Sequence, residues 1–253
     1  RHHDMLRCVI MEDGRQRILP EVPPFTVTVQ DATGLDAGAA EQMVLECRER
    51  MGHEVLSAKE WPLFRVAATR MPGGSIRLHI SLDLLVADLH SMNLMMNGLE
   101  SLYRYPEREP APLDLSFRDY VLALEAFRKS PRYRKDKEYW LERVAALPPA
   151  PDLPLAVPPA QVERPRFVRH AAQLDRKTWA DLRQKAAAHE LTVSGLLLAC
   201  YAEVLARWSS RDEFTLNVTL FNRLPLHPEV GEIVGDFTSV SLLACSFDGT
   251  ASF

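Results

Sequence analysis

The stretch Asp83-Leu84-Leu85-Val86-Ala87-Asp88-Leu89-His90-Ser91 carries two aspartates inside an otherwise apolar run. Before it, residues 77–83 alternate between polar and apolar side chains, and this period of two predicts a strand. From Leu89 onward, apolar residues recur at helical spacing, which predicts a helix over 89–104. The stretch is therefore a strand-to-helix connection, and it places Asp83 at the strand end and Asp88 at the helix start.

The position of Asp88 has a plain electrostatic meaning. Free backbone N–H groups and the helix dipole favour a carboxylate at a helix start. Burying a carboxylate without a partner costs on the order of several kcal/mol, so we expect a cationic partner such as Arg77, which shares a strand face with Asp83. On these residues alone two interpretations stay open: a helix cap with a buried ion pair, or part of a functional site.

Composition and charge narrow the class of protein. The chain has 253 residues and a net charge of −4 without any basic stripe, so nucleic acid and anionic membrane surfaces are poor partners. No apolar window approaches the ~20 residues of a transmembrane helix, and no signal-peptide pattern is present. The spacing of the cysteines matches neither a zinc site nor a disulfide framework, which favours reduced thiols in a cytoplasmic protein. These cysteines are Cys8, Cys47, Cys200 and Cys245.

The order of predicted elements indicates a mixed α/β fold of the α+β two-layer kind. One hairpin is predicted across residues 12–14, and a second across residues 71–74 leads into the aspartate pair. Further strands are expected near residues 25–29, 167–174, 214–220 and 234–247. Helices are expected near residues 36–56, 89–104, 117–129, 131–146, 175–189 and 193–209.

A proline-rich segment divides the sequence. Residues 148–165 are rich in proline and poor in charge, which is typical of a semi-rigid connector. We therefore predict an N-terminal lobe at 1–147, a connector at 148–165 and the start of a C-terminal lobe at 166–253.

Five ordered stretches resemble the motifs of heterocyclization domains of nonribosomal peptide synthetases, members of the condensation-domain superfamily. The central one is Asp83-x-x-x-x-Asp88-x-x-Ser91. A lone aspartate pair at this spacing is common by chance, whereas five motifs in the family's order span nearly the whole chain. The other four are Arg1-His2-His3-Asp4-Met5-Leu6-Arg7, Tyr139-Trp140-Leu141 with residues 147–154, Thr192-Val193-Ser194-Gly195-Leu196-Leu197-Leu198-Ala199, and residues 217–223 followed by 234–239.

The resemblance implies a fold related to chloramphenicol acetyltransferase, with a substrate tunnel between two lobes. It implies that the chain supplies the N-terminal lobe without the family's first strand and helix, followed by the beginning of the C-terminal lobe. Somewhat more than half of the family domain is represented in this way.

The resemblance also implies a two-stage reaction. The amine of a carrier-bound cysteine, serine or threonine first attacks an upstream acyl thioester, and its side chain then attacks the new amide carbonyl. Loss of water leaves a thiazoline or oxazoline ring of the kind found in siderophores. The substrates arrive on 4'-phosphopantetheine arms of upstream and downstream peptidyl carrier proteins, next to an adenylation domain of the same synthetase. No cofactor or metal is expected in the domain itself.

By resemblance, Thr238, Asp83 and Asp88 are the candidate catalytic residues. Thr238 matches the family threonine assigned to cyclodehydration, but the partner aspartate of that threonine lies in a T-P-Q-x-x-L-D-x-Q motif that the sequence does not contain. On the residues alone, Thr238 is a β-branched strand residue and Asn222 a turn residue. The expected tunnel-lining or supporting residues are Ser91, Asn222, Asn217, Ser239 and Arg77.

Two other functions stay open. Ordinary condensation domains carry H-H-x-x-x-D-G, and aligning Asp88 with that aspartate puts Asp83 at the first histidine and Leu84 at the second. Leucine cannot accept a proton, which argues against a stand-alone acyltransferase of the chloramphenicol acetyltransferase type. The other alternative is a non-catalytic or degenerate module that docks carrier proteins, and the intact aspartates and Thr238 argue against it. The 253-residue chain alone is expected to be inactive, because the partner aspartate is missing.

Overall fold

The fold is mixed α/β, which confirms the class predicted from the sequence. The computed structural model describes residues 2–163, 165–168 and 170–247. Its strands are β1 (Cys8–Ile10), β2 (Gln16–Ile18), β3 (Thr28–Asp31), β4 (Phe64–Arg70), β5 (Ile76–Leu82), β6 (Glu213–Phe221) and β7 (Thr238–Ser246). Its α-helices are α1 (Ala37–His53), α2 (Leu89–Arg104), α3 (Phe117–Phe127), α4 (Pro131–Arg143), α5 (Arg176–Ala188) and α6 (Val193–Trp208).

The described chain divides into two compact units. The first contains the residues up to Arg134 together with Leu220–Ser239, and the second contains Lys135–Thr219 and the described residues from Val240 onward. The first unit is therefore discontinuous in sequence: Leu220–Ser239, called the returning segment below, comes back to it after 85 residues (135–219) of the second unit. The lobe boundaries at 147 and 165 remain predictions.

A three-stranded mixed sheet in the first unit leads to the aspartate pair. β3 and β4 pair in parallel, and α1 forms the connection between them. β4 and β5 pair antiparallel, from Phe64 opposite Leu82 to Arg70 opposite Ile76. This confirms the predicted hairpin, and it ends β5 one residue before Asp83.

The core of the first unit fixes the loop between β5 and α2. Val86 and Ala87 of this loop are completely buried and pack in one cluster with Phe117 and Tyr120 of α3. Phe237 of the returning segment joins them, with its ring edge-on to Phe117 at 5.1 Å between centroids. Because the two residues before Asp88 are held in this core, the direction of the Asp88 side chain is set by packing.

The second unit has a smaller core on β6. Phe214 and Leu216 are buried with Ala202 of α6, whereas Asn217 between the apolar positions is exposed. The strand predicted near residues 214–220 is confirmed as β6, and its buried and more exposed side chains alternate from Phe214 to Asn217. The Thr215 hydroxyl, on the opposite strand face, donates to the carbonyl of Pro148 at 2.6 Å.

The strand predicted near residues 167–174 is wrong. None of the described residues there belongs to a strand, and Phe167 and Val168 are largely exposed. An apolar run resembles a strand in its pattern, but a strand also needs a neighbour that takes its backbone hydrogen bonds, and the described residues provide none.

Within the described residues, no single helix has the length and apolar composition needed to cross a membrane. α5 and α6 reach that composition only when they are counted together across a 99° bend.

Candidate functional site

Asp88 caps the start of α2, as the sequence predicts. Its Oδ1 accepts hydrogen bonds from the backbone N–H of Ser91 at 2.7 Å and from the Ser91 hydroxyl at 2.7 Å. The backbone N–H of Asp88 donates to the carbonyl of Gly235 at 3.0 Å. The Ser91 oxygen also lies 2.8 Å from that carbonyl oxygen and 3.1 Å from the Gly235 nitrogen. The helix cap and the returning segment therefore share one hydrogen-bond network.

Arg223 of the returning segment supplies the positive charge of this network. Its Nη2 lies 3.0 Å from Asp88 Oδ1 and 2.9 Å from Ser91 Oγ. Its Nη1 donates to the carbonyls of Val230 and Ile233, each at 2.8 Å. One guanidinium thus ties the returning segment to itself and to the start of α2.

The Asp88 carboxyl is held in its ionised form. The Asp88 side chain is fully buried and that of Arg223 is 11% exposed. Burial acts to raise the pKa of Asp88, but hydrogen bonds from Ser91 and the charge of Arg223 outweigh it and hold this pKa below its ordinary value. Asp88 Oδ2 and Arg223 Nε are buried without hydrogen-bond partners among the described residues. The Asp88 carboxylate therefore forms a buried ion pair with Arg223.

This lowered pKa gives the folded chain a characteristic response to acid. A carboxyl whose pKa is lower in the folded than in the unfolded state stabilises the fold above its unfolded pKa of about 3.9, and this stabilisation is lost as the pH falls through the folded pKa. We expect the free energy of unfolding to fall below about pH 4 by up to ~1.4 kcal/mol per pH unit from this one group. Denaturant titrations between pH 3 and 6 measure it, with Asp88→Asn as the control for the other carboxyls. Equal slopes in both proteins would contradict the prediction.

Asp83 lies in a different environment, although it belongs to the same motif. Its backbone N–H donates to the carbonyl of Leu63 at 3.0 Å, and its Oδ1 accepts from the backbone N–H of Leu85 at 2.9 Å. The side chain is half-buried and forms no ion pair within the described part of the chain. Asp83 therefore shapes the turn after β5 by a local side-chain bond.

The prediction that Arg77 pairs with the aspartates is wrong. Arg77 is exposed on β5 opposite Thr69 and has no ion pair within residues 2–163, 165–168 and 170–247. Sharing a strand face does not bring it close to Asp83, because six residues at ~3.3 Å each separate them by roughly 20 Å along the strand. The cation that pairs with Asp88 comes instead from Arg223, far away in sequence.

Two further contacts hold the returning segment. The ring Nε2 of His90 lies 3.0 Å from the carbonyl oxygen of Gly231. The Glu229 carboxylate accepts the backbone N–H groups of Asp114 and Leu115, each at 2.9 Å. The segment is thus anchored at α2 and at the loop before α3.

The backbone of Gly235 lies tightly between the Ser91 hydroxyl and the ring of Phe117. Its N–H and carbonyl both face the Ser91 hydroxyl. A Cβ at this position would lie 2.2 Å from Cδ2 of Phe117, far inside van der Waals contact. Only a residue without a side chain lets the backbone reach the start of α2 here.

The candidate residues around Thr238 lie where the two ends of the returning segment meet. Thr238 is exposed, and its backbone N–H donates to the Asp236 carboxylate at 2.9 Å. Ser239 is half-buried and Asn222 is exposed, with the Asn222 N–H donating to the carbonyl of Phe237 at 3.0 Å.

The structure therefore brings together some of the predicted site residues. Asp88 and Ser91 share one network, and Asn222, Thr238 and Ser239 belong to the same unit. Asn217 belongs to the second unit, on an exposed position of β6. The catalytic and tunnel-lining roles of these residues remain predictions.

Two residues of the site were missed from the sequence. Arg223 lies within the motif at residues 217–223, but the sequence-based prediction fell on its neighbour Asn222. Gly235 lies within the motif at residues 234–239, and the resemblance gives it no structural role. Its position between an apolar residue and an acidic one gives no local signal, since only the contact with Phe117 explains the glycine. Among the described residues, no group of three or more His, Cys, Asp and Glu side chains is arranged to hold a metal ion.

Comparison with known proteins agrees with this fold. A family model described as "Condensation domain" matches residues 1–253. The chain is 41% identical over 251 residues to pyochelin synthetase PchE of Pseudomonas aeruginosa, covering 99% of the chain and 17% of that protein. It is 38% identical over 250 residues to phenyloxazoline synthase MbtB of Mycolicibacterium paratuberculosis, covering 96% of the chain and 20% of that protein.

A solved structure extends the comparison. The cyclization-docking bidomain of the nonribosomal peptide synthetase EpoB from Sorangium cellulosum matches with a TM-score of 0.89 at 40% identity. The match covers 99% of the chain and 50% of the bidomain, so the chain spans half of that structure and at most a fifth of the two synthetases. The chain therefore belongs to the condensation-domain family, and within it is similar to the cyclization domains of nonribosomal peptide synthetases.

Proposed function

We propose that the chain is part of a heterocyclization domain that forms an amide bond and then closes it into a thiazoline or oxazoline ring. The observation that carries the proposal is the state of the D-x-x-x-x-D motif. Asp88 is locked in a buried ion pair, and Leu84, at the position of the second histidine of ordinary condensation domains, is 69% exposed. No general base is therefore available at the place where a histidine-dependent acyltransferase needs one.

The relatives support ring formation as the second stage. One of them is named a phenyloxazoline synthase, and the similar solved structure is a cyclization-docking bidomain. Attack of an amine on a thioester needs little acid–base help, whereas expelling hydroxide from a tetrahedral carbon needs proton transfer and oriented hydrogen-bond donors. A motif without a histidine base therefore fits a domain in which the loss of hydroxide is assisted by residues outside this motif.

The partners follow from this chemistry. Both substrates are thioesters, and we infer that they are presented on the 4'-phosphopantetheine arms of an upstream and a downstream peptidyl carrier protein. An adenylation domain of the same synthetase loads the downstream carrier with cysteine, serine or threonine. The domain itself then needs no resident cofactor.

Within this proposal, Thr238 acts in ring closure. It is exposed at the start of β7, and its backbone is fixed by the bond from its N–H to Asp236. The returning segment that contains it is anchored by Gly235 and Arg223 to the start of α2. An exposed hydroxyl on a well-anchored backbone can hold or relay a proton at a substrate oxygen.

Replacing Thr238 by alanine is expected to separate the two stages. In the complete synthetase module, Thr238→Ala should still form the linear amide on the downstream carrier, while ring closure becomes slow or stops. Mass spectrometry of the carrier arm reads this as a product heavier by one water. Because the side chain is exposed, the cost in folding should be on the order of 1 kcal/mol or less.

Thr219→Ala is the matched control, because Thr219 is also an exposed strand threonine. It should leave both stages unchanged. Cyclisation of Thr238→Ala at the wild-type rate would make Thr238 a plain strand residue. Absence of both the amide and the ring in the unaltered module would instead contradict the proposed function itself.

A further inference from the structure

Tyr120 of α3 makes contacts that belong neither to the D-x-x-x-x-D motif nor to the proposed chemistry. Its ring is in the core, with the residue 4% exposed. Its hydroxyl donates to the carbonyl of Asn222 at 2.9 Å and accepts from the backbone N–H of Leu224 at 3.2 Å. A buried tyrosine hydroxyl normally has a hydrogen-bond partner, but this one holds two peptide groups that lie on either side of a single residue.

That residue is Arg223. The Tyr120 hydroxyl therefore fixes the backbone from which the guanidinium reaches Asp88, by one bond before it and one bond after it. The Tyr120 ring also supports the same guanidinium indirectly, through the ring of Phe237. It packs against Phe237 at 4.7 Å between centroids, and Cζ of Arg223 lies 3.7 Å above the Phe237 ring.

The geometry of the ion pair makes this backbone control important. The four donor contacts of Arg223 come from Nη1 and Nη2 at distances of 2.8 to 3.0 Å, while Nε has no hydrogen-bond partner among the described residues. A planar guanidinium that serves four acceptors in fixed directions tolerates little displacement of its own backbone. Movement of the turn at 222–224 would lengthen several of these contacts together.

We propose that Tyr120 is a positioning residue that acts through Arg223, and that its hydroxyl, not only its ring, sets the strength of the Asp88–Arg223 pair. This role concerns the pair and is independent of the proposed function. Its extension to catalysis rests on the proposed function, because it assumes that the anchored returning segment presents Thr238.

Tyr120→Phe tests the role of the hydroxyl, since it keeps the ring and removes only the oxygen. In the 253-residue chain, carbon-detected NMR titration of the Asp88 carboxyl should show its pKa moving upward by about 0.5 to 1 unit, as its interaction with Arg223 weakens. Tyr103→Phe is the matched control, because Tyr103 is 88% exposed on α2 and should leave the Asp88 titration unchanged. An Asp88 titration identical to wild type in Tyr120→Phe would overturn the proposal and leave Tyr120 as core packing.

Two further measurements keep the test decisive. In the unaltered chain, hydrogen exchange at the Leu224 amide should be slowed at least about tenfold relative to an exposed loop amide, and exchange at the exposed-loop rate would overturn the proposal even if the variant does not fold.

In the complete module, Tyr120→Phe should lower kcat with little change in the KM for the carrier substrates. A shifted Asp88 titration with unchanged kcat would support the positioning role and contradict the catalytic link alone.

Discussion

Replacing Asp88 by asparagine is expected to lower the free energy of unfolding by about 3 to 5 kcal/mol. The substitution keeps the shape of the side chain but removes its charge, which leaves the Arg223 guanidinium buried without a counter-ion. Breaking a buried pair in this way typically costs that much, because the remaining ion cannot return to water. Urea or guanidinium unfolding at pH 7, followed by circular dichroism, measures the change as a shift in the transition midpoint.

Asp83→Asn is the matched control within the same motif. Asp83 has a local bond to the Leu85 N–H and no ion pair within the described chain, and asparagine can accept the same bond. We expect a loss of no more than about 1 kcal/mol. If the two variants unfold at the same denaturant concentration, the Asp88–Arg223 pair does not support the fold. A large effect on activity from Asp83→Asn without a loss of stability would give Asp83 the chemical role that its environment does not suggest.

The second large effect is expected at Gly235. An alanine Cβ at this position would lie 2.2 Å from Cδ2 and 2.4 Å from Cε2 of Phe117, and the ring is held by the core on its other side. Either the ring or the returning segment must move, and overpacking of this kind costs about 1 to 3 kcal/mol or more. Because Gly235 also bonds to Ser91, displacement of the segment should weaken the cap of α2 as well.

Gly231→Ala provides the comparison. Gly231 lies in the same returning segment, and a Cβ there would meet no atom within 4 Å. Its melting temperature should stay within about 2 °C of wild type, whereas Gly235→Ala should melt several degrees lower. A double variant, Gly235→Ala with Phe117→Leu, should recover part of the loss, because the shorter side chain vacates the ring position. No recovery, together with a mild single variant, would show that the segment adapts without strain.

The local elements of the first unit could be predicted from the sequence. The change from a period of two to helical spacing at Leu89 identified the start of α2, and the capping role of Asp88 followed from the same position. The hairpin of β4 and β5 was indicated by alternation on both sides of a proline–glycine turn. These features depend on residues that are close together in the chain, so a single sequence contains the information.

The partner of Asp88 could not be predicted in that way. The expectation of Arg77 rests on the strand face that it shares with Asp83. Arg223 is 135 residues from Asp88 and reaches it only through the folded returning segment. The strand expected near 167–174 failed for a related reason, because apolar pattern does not reveal whether a pairing strand exists. The fold family could be predicted because several motifs occur in the family's order, which a single spacing cannot show. The contacts between those motifs could be seen only in the structure.

The discontinuity of the first unit has a consequence for how the chain acquires its structure during synthesis. Val230, Val234 and Phe237 complete the core around Phe117 and Val86, and the bonds between Ser91 and Gly235 join residues 144 positions apart. Once residues up to 134 have been synthesised and residues 220–239 have not, the sheet and helices of the first unit therefore share a core that lacks one side. Loops this long are slow to close, because entropy is lost before the distant contacts form. We therefore expect the two stretches of the first unit to become stable together, after residues 135–219 and the returning segment have been synthesised.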